Sequence, residues 1–190
     1  MRFPTPLPSR LWFPLAVALT LLAPLAAPAQ STTAPEPLKT IERIDVGRYL
    51  GTWYEIAKYP NRFQRQCVAD TQALYRQRDD GQIDVVNRGR QASGETAEAV
   101  GRARQDGPAD SPRLEVRFAP AWLSWLPMVW ANYWVIDLDP GYQLVAVSEP
   151  NREYLWVLSR TPAVDAAAYQ ALLGRLQAKG FDLSKLEKTA

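Results

Sequence analysis

Between Thr52 and Ser159 apolar residues recur at every second position in short runs, and each run closes on turn-forming residues. Leu114, Val116 and Phe118 alternate with Arg113, Glu115 and Arg117, while Ala69, Thr71, Ala73 and Tyr75 share one face of an earlier run. Successive side chains of a strand point to opposite faces, so a period of two predicts half-buried β-strands. Eight are placed: Thr52 to Lys58, Cys67 to Gln77, Gln82 to Arg88, Glu95 to Arg104, Arg113 to Phe118, Asn132 to Leu138, Gln143 to Ser148, and Tyr154 to Ser159. The stretches RDDG (78–81), DGPADSP (106–112), DPG (139–141) and EPNRE (149–153) supply turns between them. Eight strands in sequence with short links predict an all-β fold, an eight-stranded up-and-down antiparallel barrel. Such a barrel pairs its edges and can hold one small ligand inside.

After the last strand the period changes. Tyr169, Leu172, Leu173 and Leu176 fall at helical spacing, which predicts a helix over about 162–179 packed on the barrel's outer wall. Thr161 is expected as the cap, with Pro162 in the first turn, Asp165 near the positive end of the dipole and Gly180 as the stop.

The amino terminus has a third pattern. Arg2 and Arg10 precede an apolar run from Leu11 to about Ala27, followed by a small-x-small site at Ala27 and Ala29, which reads as a cleaved secretory signal over 1–29. Pro14 and Pro24 interrupt the run, and a spanning helix needs about 20 apolar residues. No cysteine follows the cleavage site, so no acyl anchor is expected, and the product is expected to be periplasmic or secreted, with outer-membrane association left open. Residues 30–40, QSTTAPEPLKT, read as a flexible leader, and the domain is expected over 41–190 with its barrel at about 52–159.

Without the signal the chain carries 20 basic and 20 acidic residues, which argues against a nucleic-acid binder. There is no histidine and one cysteine, Cys67. That excludes imidazole bases, histidine haem ligands, Cys/His zinc clusters and an internal disulfide, and neither cofactor nor metal is expected. Cys67 is either a small buried hydrophobe, an intermolecular partner or a reactive thiol.

Alternation proposes the barrel lining: Thr71, Ala73 and Tyr75 on strand two, Val85 on strand three, and Val116 and Phe118 on strand five. Strand four offers Ala97, Ala99, Gly101 and Ala103 on one face, and four small residues leave room for a ligand. If strand one keeps the parity of Trp53, Glu55 also faces inward, where a carboxylate needs a partner or a ligand head.

The residues carry a resemblance. GTWYEIAKYP at 51–60 is similar to the Gly-x-Trp motif that opens the first strand of lipocalins, LDPGY at 138–142 to their second motif, and LSRTP at 158–162 to their third. NRF, YLWVLSRTP and GFDLSKL most resemble the bacterial lipocalin and apolipoprotein D-like branch, with its temperature-induced plant relatives. The resemblance spans nearly the whole mature chain. It implies structural roles for Gly51, Trp53, Asp139, Tyr142 and Arg160, with Trp53 plugging the closed end under the Arg160 guanidinium. It also implies Tyr133 and Trp156 inward, as an aromatic wall of the site. Leu138 stands where threonine is usual, and the late cysteine that relatives pair with one near position 67 is absent.

In an up-and-down barrel alternate links share a rim. The link AWLSWLPMVW (121–130) therefore lies at the open mouth with YPNRFQRQ and EPNRE. Two readings of it stand: an inward lid with buried tryptophans, or an exposed patch of Trp122, Trp125, Leu126 and Trp130. In the second reading the patch meets a bilayer, with Arg62, Arg65 and Arg152 beside it for lipid phosphates, or a second copy in a homodimer. The resemblance implies binding or carriage of a small hydrophobic ligand such as a fatty acid or lysophospholipid, without catalysis. A lipid-acting enzyme using Glu55 or Asp137, and a module dimerising through the loop, are the alternatives.

Overall fold

The computed structural model describes residues 36–189; the expected signal and the leader up to residue 35 lie outside them. A one-turn helix α1 (Val46–Tyr49) leads into β1 (Gly51–Lys58), β2 (Cys67–Gln77), β3 (Ile83–Gln91), β4 (Thr96–Gln105), β5 (Arg113–Arg117), β6 (Ala131–Leu138), β7 (Leu144–Ser148) and β8 (Leu155–Ser159). Helix α2 (Ala166–Ala178) and a short β9 (Glu187–Lys188) follow. Each strand from β1 to β8 pairs antiparallel with the next, and β1 pairs with both β2 and β8, which closes an up-and-down barrel; β9 lies along β1.

Alternation sorts the apolar residues into two cores. Trp53, Ala73, Tyr75, Ile83, Val85, Ala103, Leu114, Val135, Val145, Val147 and Leu158 fill the inside, with Ile44 and Tyr49 from below. Ala57, Ile136, Leu144, Ala146, Leu155 and Val157 face outward and are covered by Tyr169, Leu172 and Leu176 of α2. Within the stretch 30–40 expected as leader, the described residues pack on the barrel: Leu38 is buried in this outer core, and Arg152 Nη2 donates to the Glu36 carbonyl.

The helix starts later than the sequence suggests. Thr161 spends its hydroxyl on the Ala163 carbonyl, whereas the Asp165 carboxylate accepts from the Ala168 amide at 2.8 Å and caps the first turn. Gly180, with φ of 86°, ends α2 as expected.

A bulge in β1 breaks strict alternation. The register with β8 shifts between Glu55 and Ala57, so Glu55 stands opposite inward Leu158, Ala57 opposite outward Val157, and Lys58 opposite Trp156. Glu55 and Lys58, three residues apart, thereby face the same interior.

Candidate functional site

The closed end is built from satisfied polar groups around Trp53, which is fully buried. Its indole N–H donates to the Tyr49 carbonyl at 2.8 Å, and the Arg160 guanidinium lies 4.0 Å from its ring. Arg160 also donates to the carbonyls of Thr52 (3.0 Å), Arg48 (2.6 Å) and Tyr142 (3.3 Å). Gly51 has φ of 96°, which strains any other residue, and a Cβ there would press on Arg160 Nη1 at 3.2 Å. Asp139 accepts from the amides of Gly141, Gln143 and Leu144, and the Tyr142 hydroxyl accepts from the Asp45 amide. All five motif residues thus act in closing the barrel.

Above Trp53 three tyrosines form a polar knot in the apolar floor. The Tyr133 hydroxyl lies 2.7 Å from that of Tyr49 and 2.9 Å from that of Tyr75. Burial raises all three: Tyr75 to about 12, and Tyr49 and Tyr133 well above the ordinary tyrosine range. Tyr133 and Tyr75 therefore line the interior as expected, with their hydroxyls committed to each other. Tyr49, from α1, was not foreseen, because a residue outside the alternating runs carries no parity signal.

The middle of the barrel is less full. Ala73, Asn87 and Ala99 stand in register across β2, β3 and β4, and the exposure of the inner face rises along that row: Ala73 is buried, Asn87 half-buried and Ala99 exposed. Val85 is buried near the floor and Val116 half-buried. Gly89 and Gly101 admit large neighbours: a Cβ at Gly89 would meet Cys67 Sγ at 2.6 Å, and one at Gly101 the Phe118 ring at 2.7 Å. Phe118 lies beyond the end of β5 and is half exposed; it lines the mouth, above the depth expected for it. Cys67 is a free, half-buried thiol on this inner face. The hydroxyl of Thr71 is buried without a hydrogen-bond partner.

At the upper wall Glu55 is only 6% exposed and has three partners: Lys58 Nζ at 3.0 Å, Gln64 Nε2 at 2.6 Å and Thr189 Oγ1 at 2.6 Å. Gln64 also accepts from the Trp156 indole at 2.9 Å and from Asn61 at 2.9 Å. Trp156 stacks on Tyr154 with ring centres 5.8 Å apart, and Tyr154 meets Phe63 at 5.6 Å. Glu55 and Trp156 are where the sequence put them. Lys58, Gln64 and Thr189 were missed: the bulge hides Lys58, and β9 is two residues long.

The tryptophan loop does not fold inward. It makes two 3₁₀ turns, Ala121–Leu123 and Pro127–Val129, and leaves Trp122, Trp125 and Met128 exposed by 73%, 75% and 84%. Leu126 is half-buried. Trp130 turns back onto the outer wall, 4.0 Å above the Arg104 guanidinium and 5.2 Å from that of Arg117, and donates to the Ser124 carbonyl. Arg117 faces outward as alternation requires, yet is buried beneath that indole, with one hydrogen bond to the Ala119 carbonyl. Arg62 and Arg65 are exposed on the rim. Arg152 is not available there, because it bonds the carbonyls of Lys179 and Glu36 and ties the β7–β8 turn to α2.

Asp137, the other carboxylate considered for chemistry, faces α2 and accepts two bonds from Arg175 at 2.8 and 2.9 Å. A groove of about 580 Å³ beside this pair lies outside the barrel, between α2 and the β6–β7 turn. Among the described residues there is no group of three or more acidic or cysteine side chains placed to hold a metal ion.

Known proteins share this plan. A family described as lipocalin-like domain matches residues 44–190. Temperature-induced lipocalin-1 of Arabidopsis thaliana is 38% identical over 83% of this chain and 84% of its own, and outer membrane lipoprotein Blc of Escherichia coli K12 is 37% identical over 89% and 92%. Insecticyanin from the tobacco hornworm Manduca sexta superposes with a TM-score of 0.63 at 18% identity, covering 80% of this chain and 84% of that one, a likeness of fold. With its barrel, its Trp53–Arg160 closure and these matches over most of its length, the chain belongs to the lipocalin family.

Proposed function

We propose that the protein binds one acyl-chain amphiphile, a fatty acid, lysophospholipid or similar lipid, with the tail in the barrel and the head toward the mouth. The observation that carries this is the inner row Ala73, Asn87 and Ala99 across β2, β3 and β4, which goes from buried to half-buried to exposed: small inner positions that no neighbour covers toward the mouth leave volume for a ligand. Each buried CH₂ contributes about 0.8 kcal/mol, partly offset by the cost of association and ordering. Val116, Phe118 and Trp156 form the apolar sides, and the tyrosine knot sets the depth. Trp122, Trp125 and Met128 suit contact with the membrane surface from which such a lipid is taken up, with Arg62 and Arg65 nearby for phosphates. This reading places the protein in the periplasm or outside the cell, as a carrier without catalytic function.

Native mass spectrometry of the purified protein, followed by solvent extraction, tests the proposal. A one-to-one lipid adduct that disappears in Ala99→Phe, while the melting temperature holds, is the expected result. A bare mass that takes up neither added fatty acid nor lysophospholipid would overturn it.

A further inference from the structure

We infer that Glu55 sets the charge preference of the calyx, holding Lys58 in an internal ion pair so that the site favours acyl chains with an uncharged polar head over the corresponding anion. The inference rests on the reading of the barrel as an acyl-chain site. Among the strand residues that face the interior, Glu55 and Lys58 alone carry formal charge; their neighbours are apolar, small, tyrosyl or amide side chains. The bulge at Ile56 brings the two to the same side, and Glu55 Oε1 lies 3.0 Å from Lys58 Nζ.

The pair is held in place. Gln64 and Thr189 each donate to Glu55 at 2.6 Å, and Gln64 is fixed in turn by Asn61 and the Trp156 indole. The Glu55 side chain is 2% exposed and that of Lys58 14%. A carboxylate head descending to this level would lose hydration and meet an ammonium whose charge is already matched. The attraction of Lys58 is opposed by the repulsion of Glu55 at nearly the same distance, and a poorly solvated wall strengthens both. An uncharged head meets no such opposition. The Thr71 hydroxyl, buried and unpartnered on the inner face of β2 beside β1, can donate to an ester or alcohol as well as to a carboxylate, so the discrimination rests on the Glu55–Lys58 pair alone.

The test is a tryptophan-fluorescence titration of delipidated protein with monolaurin and with laurate, below their micelle concentrations, at about pH 8 where a carboxylic acid is ionised. Wild type is expected to bind monolaurin at least about tenfold more tightly than laurate, and Glu55→Gln to shift that ratio about tenfold toward laurate by unmasking Lys58. Lys58→Gln should move the ratio the other way, and it decides the matter if Glu55→Gln fails to fold. A wild-type preference for laurate overturns the inference. So does a ratio that folded Glu55→Gln, or Lys58→Gln in its place, leaves unmoved: a merely structural role would weaken both ligands equally. Failure of wild type to bind either ligand brings down the acyl-chain reading itself, whereas binding of both with an indifferent ratio brings down this inference alone.

Discussion

The two ends of the barrel use the same residue types in opposite ways. At the closed end Trp53 is sealed, its N–H bonded, its face covered by Arg160, and the arginine's donors meet three carbonyls. At the mouth Trp122 and Trp125 stand in solvent. One end is closed by satisfying its polar groups, whereas the other leaves apolar surface uncovered. Stability and binding are therefore separable by mutation.

The largest effect is expected at the closed end. Trp53→Ala should lower unfolding free energy by about 3–5 kcal/mol in urea denaturation, since it opens a cavity and strands Arg160. Loss of ligand with unchanged stability would instead reverse the roles assigned to the two ends. Next comes the tyrosine knot. Tyr133→Phe should cost about 1–3 kcal/mol by removing the partner of two buried hydroxyls. Burial raises these tyrosines, so the fold favours their protonated forms: the stability they contribute is present below the free tyrosine value of about 10 and is lost as pH climbs through about 12, the value for Tyr75. Melting curves of wild type should fall steeply over that range and those of Tyr133→Phe less so; equal slopes would remove the knot from the account. The smallest effect on stability belongs to the mouth. Replacing Trp122 and Trp125 by serine should change unfolding free energy by no more than about 0.5 kcal/mol. Liposome co-sedimentation should nevertheless weaken about tenfold, from lost interfacial burial of two indoles. Unaltered sedimentation with a change from dimer to monomer would assign the loop to a second copy.

How far the sequence carried depended on how regular the local rule was. β2 matches its expected span from Cys67 to Gln77, and the remaining strands differ by up to three residues at an end, because period two and turn chemistry are local signals. Where geometry departed from the period, reading failed. The β1 bulge sends Lys58 inward against alternation, and Thr161, the expected cap, yields to Asp165 because the latter's carboxylate reaches an amide. Arg152 and Arg117 read as rim or surface charges, yet long side chains choose partners that lie far along the chain or across strands: Arg152 takes carbonyls at residues 36 and 179, and Arg117 lies beneath Trp130. Between lid and patch the sequence was silent, since a run of apolar residues does not specify which way its turns point.

Beside the mouth β4 outruns its neighbour. β5 pairs with it only from Arg102 to Gln105, so Thr96–Gly101 is held by β3 alone and offers a free row of amides and carbonyls. The outer side chain of Val100 is exposed at that margin. A protein with an apolar rim and an open strand next to it is at risk of templating its own aggregation, and the guard here is charge. Glu98 stands in the middle of the free stretch, locked to Arg88 at 2.7 Å, and spoils the addition of another strand. Replacing Glu98 by valine should therefore raise the tendency of this chain to self-associate at that margin, read by light scattering against concentration.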